Sequence, residues 1–303
     1  MIDLSKLTTE MRNPDTMNLD QMTPLEIASI MNHEDGNVVR AIKEILPSVD
    51  QAITWATESL KSGGRIIYIG AGTSGRLGVL DAVECPPTFG VPKELVVGLI
   101  AGGDQAFVEA VEGAEDSKTL CEEELKGIGL RKEDIVIGLA ASGRTPYVIH
   151  GLRFAGHMGC KTVAIACNRD SDIGREALLA IEPLTGPEVL TGSTRLKAGT
   201  AQKMILNMIS TGSMIGVGKV YENLMVDVKQ SNEKLVVRSQ NIVMTATECS
   251  REKAKDVLEQ SDGHVKTAIL MILADCDAAT AREMIVEAGG NIRKAFSIDR
   301  KEF

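Results

Sequence analysis

The 303-residue sequence holds no apolar run approaching the roughly 18 residues that a membrane-spanning helix requires, so no membrane partner is expected. Its opening residues, Met1-Ile-Asp-Leu-Ser5, lack the basic-then-apolar order of a secretory signal, and a cytoplasmic location is expected. Positive charge is scarce as well. Lys and Arg number 33 against 42 Asp and Glu, a net charge of −9, which argues against a nucleic-acid partner because phosphate-backbone surfaces need clustered basic residues. Any anionic ligand must be held locally, by backbone amides, hydroxyls and a few basic side chains. The six cysteines (Cys85, Cys121, Cys160, Cys167, Cys249 and Cys276) form no C-x-x-C pair and do not cluster with the four histidines. Neither a metal site nor a disulfide framework is expected, and the thiols read as reduced and mostly buried small hydrophobes.

What is present is enough apolar material, 44% of residues, to bury a full α/β core. Between Asn37 and about Lys61 apolar residues such as Val38, Ile42, Val49, Ile53 and Leu60 recur near helical spacing, with Pro47 expected to kink or divide the stretch and Gly63-Gly64 to stop it. Short β-rich runs follow at Arg65–Ile69, Glu94–Ile100, Asp134–Leu139 and Lys161–Cys167, with a weaker one near Leu179–Leu184. Their apolarity is continuous rather than alternating, as strands covered on both faces require. The expected fold class is α/β, a doubly wound five-stranded parallel sheet with a small all-α C-terminal domain. The expected divisions are a helical segment over 1–60 packing on the core, the sheet domain over 61–238 and the helical domain over 239–303.

The tail repeats itself. Ala254-Lys-Asp-Val-Leu-Glu-Gln-Ser-Asp-Gly263-His-Val-Lys-Thr-Ala268 aligns with the stretch 27 residues later, Ala281 to Ala295, with Gly290 in place of Gly263. Each copy reads as a helix, a glycine stop and the start of a second helix, and such units bury their faces against each other. The ending is loosely similar to small three-helix folds of the ubiquitin-associated type.

In such sheets ligands sit at the carboxyl ends of the strands. The first strand run ends in Gly70-Ala-Gly72-Thr73-Ser74-Gly75, with the spacing G-x-G-x-x-G. A dinucleotide site would also need an acidic residue closing the next strand about 20 residues on. That strand instead ends in Ala101-Gly102-Gly103, and Asp104 falls late. The third strand run ends in matching chemistry: Ala141-Ser142-Gly143-Arg144-Thr145 parallels Thr73-Ser74-Gly75-Arg76. Two hydroxyl-rich turns, each opening a helix, offer amides, hydroxyls and the positive ends of two dipoles to one phosphate. The alternative is that Ser74 and Ser142 serve as helix N-caps. A third stretch, Thr191-Gly-Ser193-Thr194-Arg195-Leu-Lys197, opens another helix, for which Ser193 or Thr194 is the natural cap, while Arg195 and Lys197 could balance ligand charge or face solvent.

Together with Thr9-Glu10-x-Arg12-Asn13, Glu84-Cys-Pro-Pro-Thr-Phe89, Gly192–Thr200 and Asn223-Leu-Met-Val-Asp227, these loops resemble the N-acetylmuramic acid 6-phosphate etherase family, whose members carry a sugar isomerase (SIS) domain. Leu196 stands where many members carry Met. The resemblance implies cleavage of the lactyl ether of a phosphorylated amino sugar, with no metal or organic cofactor, in a homodimer. It implies a phosphosugar site formed by Gly72, Thr73, Ser74, Ser142, Gly143, Arg144, Thr145, Ser193 and Lys197. Its two catalytic carboxylates match Glu84, as proton donor, and Glu115, as the second acid/base residue. From the residues alone, Glu84 ends the helix that begins at the first loop, with Cys85-Pro86-Pro87 expected to stop it. Glu115 falls in an acidic run, Glu109, Glu112, Glu115 and Asp116, whose plain reading is a solvated helix face. His150 and His157 read as structural. Competing readings are an aldose–ketose isomerase on the same domain and a non-catalytic phosphosugar sensor similar to the glucokinase regulatory protein. A DNA-binding regulator would need a basic helix-turn-helix, which the acidic stretch Met11–Asp35 does not supply.

Overall fold

The first long helix starts earlier than its apolar spacing indicates. Thr23 and Glu26 form a capping box, Glu26 Oε2 accepting from the Thr23 N–H at 2.7 Å, and this fixes the start of α1, Pro24–Glu44. Ile45 separates it from α2, Leu46–Lys61, where Pro47 occupies the first turn, a position whose N–H would have no partner within the helix in any case. The computed structural model describes residues 7–228 and 233–299. After α2 the order is β1 (Ile66–Gly70), α3 (Gly72–Phe89), β2 (Val96–Ile100), α4 (Gln105–Val108), α5 (Leu120–Gly127), β3 (Ile135–Leu139), α6 (Pro146–His157), β4 (Lys161–Ile165), α7 (Asp172–Glu176), β5 (Leu179–Ile181) and α8 (Lys197–Gly216). A hairpin of β6 (Val220–Tyr221) and β7 (Leu224–Met225) follows. The chain then continues with α9 (Glu233–Thr247), α10 (Arg251–Gln260), α11 (Val265–Ala274), α12 (Ala278–Glu287) and α13 (Ile292–Asp299). The chain divides into two units: one runs up to Val83 and resumes over Glu94–Ser210, and the other combines Glu84–Lys93 with the chain from Thr211 on.

In the first unit β1 to β5 form one parallel sheet in the order β2-β1-β3-β4-β5, with all five strands where the apolar runs predict them. Every residue of β1 and β3 is buried, as continuous apolarity demands. Ile67, Ile69 and Val136 face a core shared with Cys121 and Leu125 of α5, Tyr147, Val148 and Leu152 of α6 and Ile173 of α7. On the opposite face Gly78 of α3 lies against Tyr68 and Leu139 so closely that a Cβ there would come within 2.9 Å of Tyr68. Asp81 of α3 accepts from Tyr68 on β1 and from Asn207 and Ser210 on α8. Burial pushes its carboxyl above the usual range despite those three donors.

Two expectations are corrected. Pro86 and Pro87 do not end α3, which continues to Phe89. Each proline removes one helical N–H bond, but the last turn closes without it, through the Gly90 N–H donating to Pro86 O at 2.9 Å. The acidic run 109–116 is not one helix face either. α4 ends at Val108, and Glu115 and Asp116 lie on a separate 3₁₀ turn, Ala114–Asp116, entered through Gly113 at φ +76°.

In the second unit the repeat is visible residue for residue. Gly263 and Gly290 both take positive φ, +78° and +85°, and the pairs Ala254/Ala281, Val265/Ile292 and Ala268/Ala295 are all buried in one core. Among the described residues no helix is long and apolar enough to cross a membrane.

The edge of the first unit opposite the strand carboxyl ends is closed by Asp134, which receives the Arg65 guanidinium at 2.7 Å and the backbone N–H groups of Arg65 and Arg131 at 2.9 Å each. Burial opposes its ionisation, but the Arg65 bonds and charge outweigh it and hold the carboxyl below its usual range. A depressed folded value contributes stability that is present above the unfolded pKa of about 3.9 and lost as pH falls through the lower folded value. Asp134→Ala, which leaves Arg65 with an uncompensated charge, is expected to cost about 3–5 kcal/mol in urea unfolding at pH 7. The gap between variant and wild type is expected to close below about pH 3.9; a gap unchanged down to pH 2 would refute the assignment.

Candidate functional site

The chain passes from β1 to β2 on one side and returns to β3 on the other. The carboxyl ends of β1 and β3 therefore flank the switch point at which open α/β sheets hold ligands. Both hydroxyl-rich loops sit there.

The first loop is shaped by a backbone contact. A Cβ on Gly70 would lie 2.7 Å from the Gly75 amide nitrogen, and one on Gly75 would lie 2.7 Å from Gly70 O, so the strand end and the helix start touch backbone to backbone. Gly72, at φ +52°, makes the turn between them. Thr73 is half-buried, while Ser74 is buried and its hydroxyl donates to Gln202 Oε1 of α8 at 2.9 Å. Arg76 Nε donates to Phe107 O at 2.8 Å.

The second loop turns at Gly143, whose φ is +77° and whose added Cβ would stand 2.3 Å from Ser171 Cβ. Thr145, not Ser142, occupies the N-cap of α6, and its side chain makes no capping bond. Ser142 is half-buried, and Arg144 Nε lies 3.9 Å from an Asp172 carboxylate oxygen. Asn168, just beyond β4, holds this loop: its Nδ2 donates to Ala141 O and Ser142 O at 3.3 Å each, and its Oδ1 accepts from Thr8 Oγ1 at 3.0 Å.

The third stretch departs from expectation at its cap. Ser193 and Thr194 lie in the turn before α8, but the first N–H groups of that helix, Lys197 and Ala198, donate at 3.0 Å to the two carboxylate oxygens of Glu188. Ser193 is half-buried. Glu188 is fully buried, and burial raises its pKa in spite of those bonds. Gly199 brings α8 beside the first loop, since a Cβ there would lie 3.6 Å from Thr73 Cγ2. Lys197 is 1% exposed, and its ammonium is bonded to the Glu34 carboxylate of α1, which also accepts from Asn13 Nδ2 at 2.9 Å. Burial works against the Glu34 charge, and the Lys197 bond and charge prevail to lower its pKa. Asn13, Glu34, Arg169, Thr185 and Lys197 line a cavity of about 720 Å³.

Of the two carboxylates, Glu84 is exposed, about three turns along α3 from Gly72, and Glu115 is exposed on its 3₁₀ turn. The residues that sequence reasoning missed are the supports: Asn168, Glu188, Glu34 and Gln202. Their signal was weak, because each is a single polar residue whose partner lies far along the chain.

Residues 37–156 match the family model described as the glucokinase regulatory protein N-terminal SIS domain, and residues 127–211 match the SIS domain model. The chain is 58% identical over 294 residues to the N-acetylmuramic acid 6-phosphate etherase of Salmonella agona strain SL483, covering 97% of this chain and 99% of that one. The protein of the same name from Pectobacterium atrosepticum is also 58% identical over 294 residues, with 97% of each chain covered. A solved structure from Bacteroides fragilis, titled as a candidate phosphosugar isomerase involved in capsule formation, superposes with a TM-score of 0.50 at 20% identity, covering 65% of this chain and 94% of that one. That likeness is one of fold.

The buried Lys197–Glu34 pair yields a test of its own. Glu34→Ala strands the ammonium and is expected to destabilise the protein by about 3–5 kcal/mol, whereas Glu34→Leu combined with Lys197→Met removes both charges and should restore most of the loss. Chemical denaturation of the two variants checks this, and equal losses in both would count against the pair as described.

Proposed function

Because the chain belongs to the N-acetylmuramic acid 6-phosphate etherase family, we propose that it cleaves the lactyl ether of N-acetylmuramic acid 6-phosphate with water, giving N-acetylglucosamine 6-phosphate and D-lactate. The observation that carries this reading is the pair of Ser/Thr-Gly loops at the β1/β3 switch point, each opening a helix. The positive ends of α3 and α6 and the hydroxyls of Thr73, Ser74, Ser142 and Thr145 suit a phosphate dianion. Gly72 and Gly143 let the backbone approach it, Arg144 lends charge and Ser193 completes the set, while Lys197, its ammonium buried against Glu34, serves by fixing the start of α8 rather than by touching the phosphate. The G-x-G-x-x-G spacing is accounted for by the Gly70–Gly75 contact and the Gly72 turn, with no dinucleotide required.

An unactivated alkoxide is a poor leaving group, so the reaction is written as elimination then hydration. Ring opening exposes an aldehyde and makes the C2 proton acidic. One carboxylate, Glu115, removes that proton as the C3–oxygen bond breaks, and Glu84 protonates the departing lactyl oxygen. Water then adds across the resulting double bond, its oxygen going to C3 and a proton to C2. The step needs one group to take a proton and the other to give one. Exposure of both side chains is compatible with contact to a diffusing substrate.

The same reading assigns the enzyme to cell-wall amino-sugar catabolism in the cytoplasm, as a homodimer. Six free cysteines support a reducing compartment.

Purified protein incubated with N-acetylmuramic acid 6-phosphate is expected to release D-lactate above a protein-free blank. Glu84→Gln and Glu115→Gln should each lower kcat by about 10²–10⁴-fold. Binding of the phosphosugar without lactate release would replace the etherase with an isomerase or a sensor. Turnover within a few-fold of wild type in either variant would reassign that carboxylate.

A further inference from the structure

Among the described residues, two buried side-chain polar atoms find no hydrogen-bond partner: Thr185 Oγ1 and Gln202 Nε2. The second touches the proposed phosphate loop. Gln202 lies in the second turn of α8 and is 0% exposed, and its Oε1 accepts the Ser74 hydroxyl proton at 2.9 Å. The only Ser74 proton therefore points into the protein, away from any anion at the switch point, while a buried N–H beside it goes unused. An anion that takes the Ser74 proton lets one rotation of the amide put the unused N–H to work.

A carboxamide has two nearly equivalent orientations about its terminal torsion. Turned over, Gln202 presents Nε2–H to Ser74 Oγ and leaves Oε1 without a donor, and a buried carbonyl tolerates that better than a buried N–H does. Ser74 Oγ can accept that bond and still donate its own proton outward. A phosphate oxygen taking that proton forms a charge-assisted hydrogen bond, stronger than the neutral bond it replaces.

We propose that Gln202 is a positioning residue that switches the Ser74 hydroxyl: it accepts the Ser74 proton when the loop is empty, and turns over to donate to Ser74 when a phosphate monoester occupies it. This rests on the phosphosugar reading of the loop and deepens it. No proton leaves either group; the hydroxyl rotates and the amide exchanges its two ends. The consequence is that Ser74 contributes to phosphate affinity only where residue 202 can stop accepting the Ser74 proton.

Two measurements test it, with N-acetylglucosamine 6-phosphate as the probe and unphosphorylated N-acetylglucosamine as the control. In wild type, Ser74→Ala is expected to weaken binding of the phosphorylated sugar about ten- to a hundredfold, the size of one charge-assisted bond. In a Gln202→Glu background, at a pH above the measured titration midpoint of the introduced carboxyl, where it can only accept, the same Ser74→Ala change should cost less than twofold. Equal costs in the two backgrounds, or none in wild type, would overturn the switch. The second measurement needs no variant at position 202. In protein labelled with ¹⁵N-glutamine, one side-chain amide resonance should shift on adding the phosphorylated sugar to wild type and stay in place in Ser74→Ala. A shift that survives Ser74→Ala, or no shift in wild type, refutes the proposal. Wild-type lactate release and phosphosugar binding, measured on the same preparation, separate the outcomes. If both are absent, the phosphosugar reading and this proposal fail together; if both are present and the coupling is absent, only the Gln202 switch fails.

Discussion

The contact on which the first unit's functional edge depends is between two glycines. Gly70 ends β1 and Gly75 sits in the first turns of α3, and neither has room for a Cβ against the other's backbone. Any larger residue would lift α3 off the strand end. Its free N–H groups and the hydroxyls of Thr73 and Ser74 would then no longer stand beside the carboxyl end of β3. A sheet of order β2-β1-β3-β4-β5 brings two strand ends together at its switch point, but the usefulness of that point depends on how closely the following helices start. At β3 the same closeness is set by Gly143, pressed against Ser171.

Around those two loops lies a set of buried polar pairs that hold the loops rather than a ligand. Asn168 ties the second loop to the N-terminal segment through Thr8 and Thr9, and Glu188 caps α8. Glu34 joins α1 to α8 through Lys197 and to the N-terminal segment through Asn13. Each of these groups is out of water and is tolerable only because it is paired, so each ties its neighbours to one geometry. The Thr-Glu-x-Arg-Asn stretch near the N-terminus belongs to this scaffold: Thr9 and Asn13 are buried, and their partners come from the sheet edge and from α1.

This division explains what could be read in advance. Strand positions, the parallel sheet and the loop pair were legible because continuous apolar runs and glycine-hydroxyl turns are local signals, and the 27-residue tail repeat was legible because Gly263 and Gly290 mark equivalent stops. The prolines in α3 misled because a local breaker was read without the packing that carries the helix on to Phe89. The cap of α8 misled because Ser193 and Thr194 have the right chemistry nearby in sequence, whereas Glu188 has it in space. Gln202 carried no sequence signal, since a glutamine on a helix is ordinarily solvated and only its burial against Ser74 makes it unusual.

The charge distribution follows from the same arrangement. In a chain of net charge −9, three of the cations flanking the loops are engaged: Arg76 with Phe107 O, Arg144 beside Asp172, Lys197 with Glu34. The carboxyl edge thus meets an anion chiefly with N–H and O–H dipoles. Fixed dipoles favour a dianion at close range and lose little to salt, whereas exposed lysines attract any anion from a distance and are screened. A site built this way recognises phosphate by direction rather than by net charge. The direction of one hydroxyl, and the residue that sets it, therefore matters more here than it would in a basic pocket.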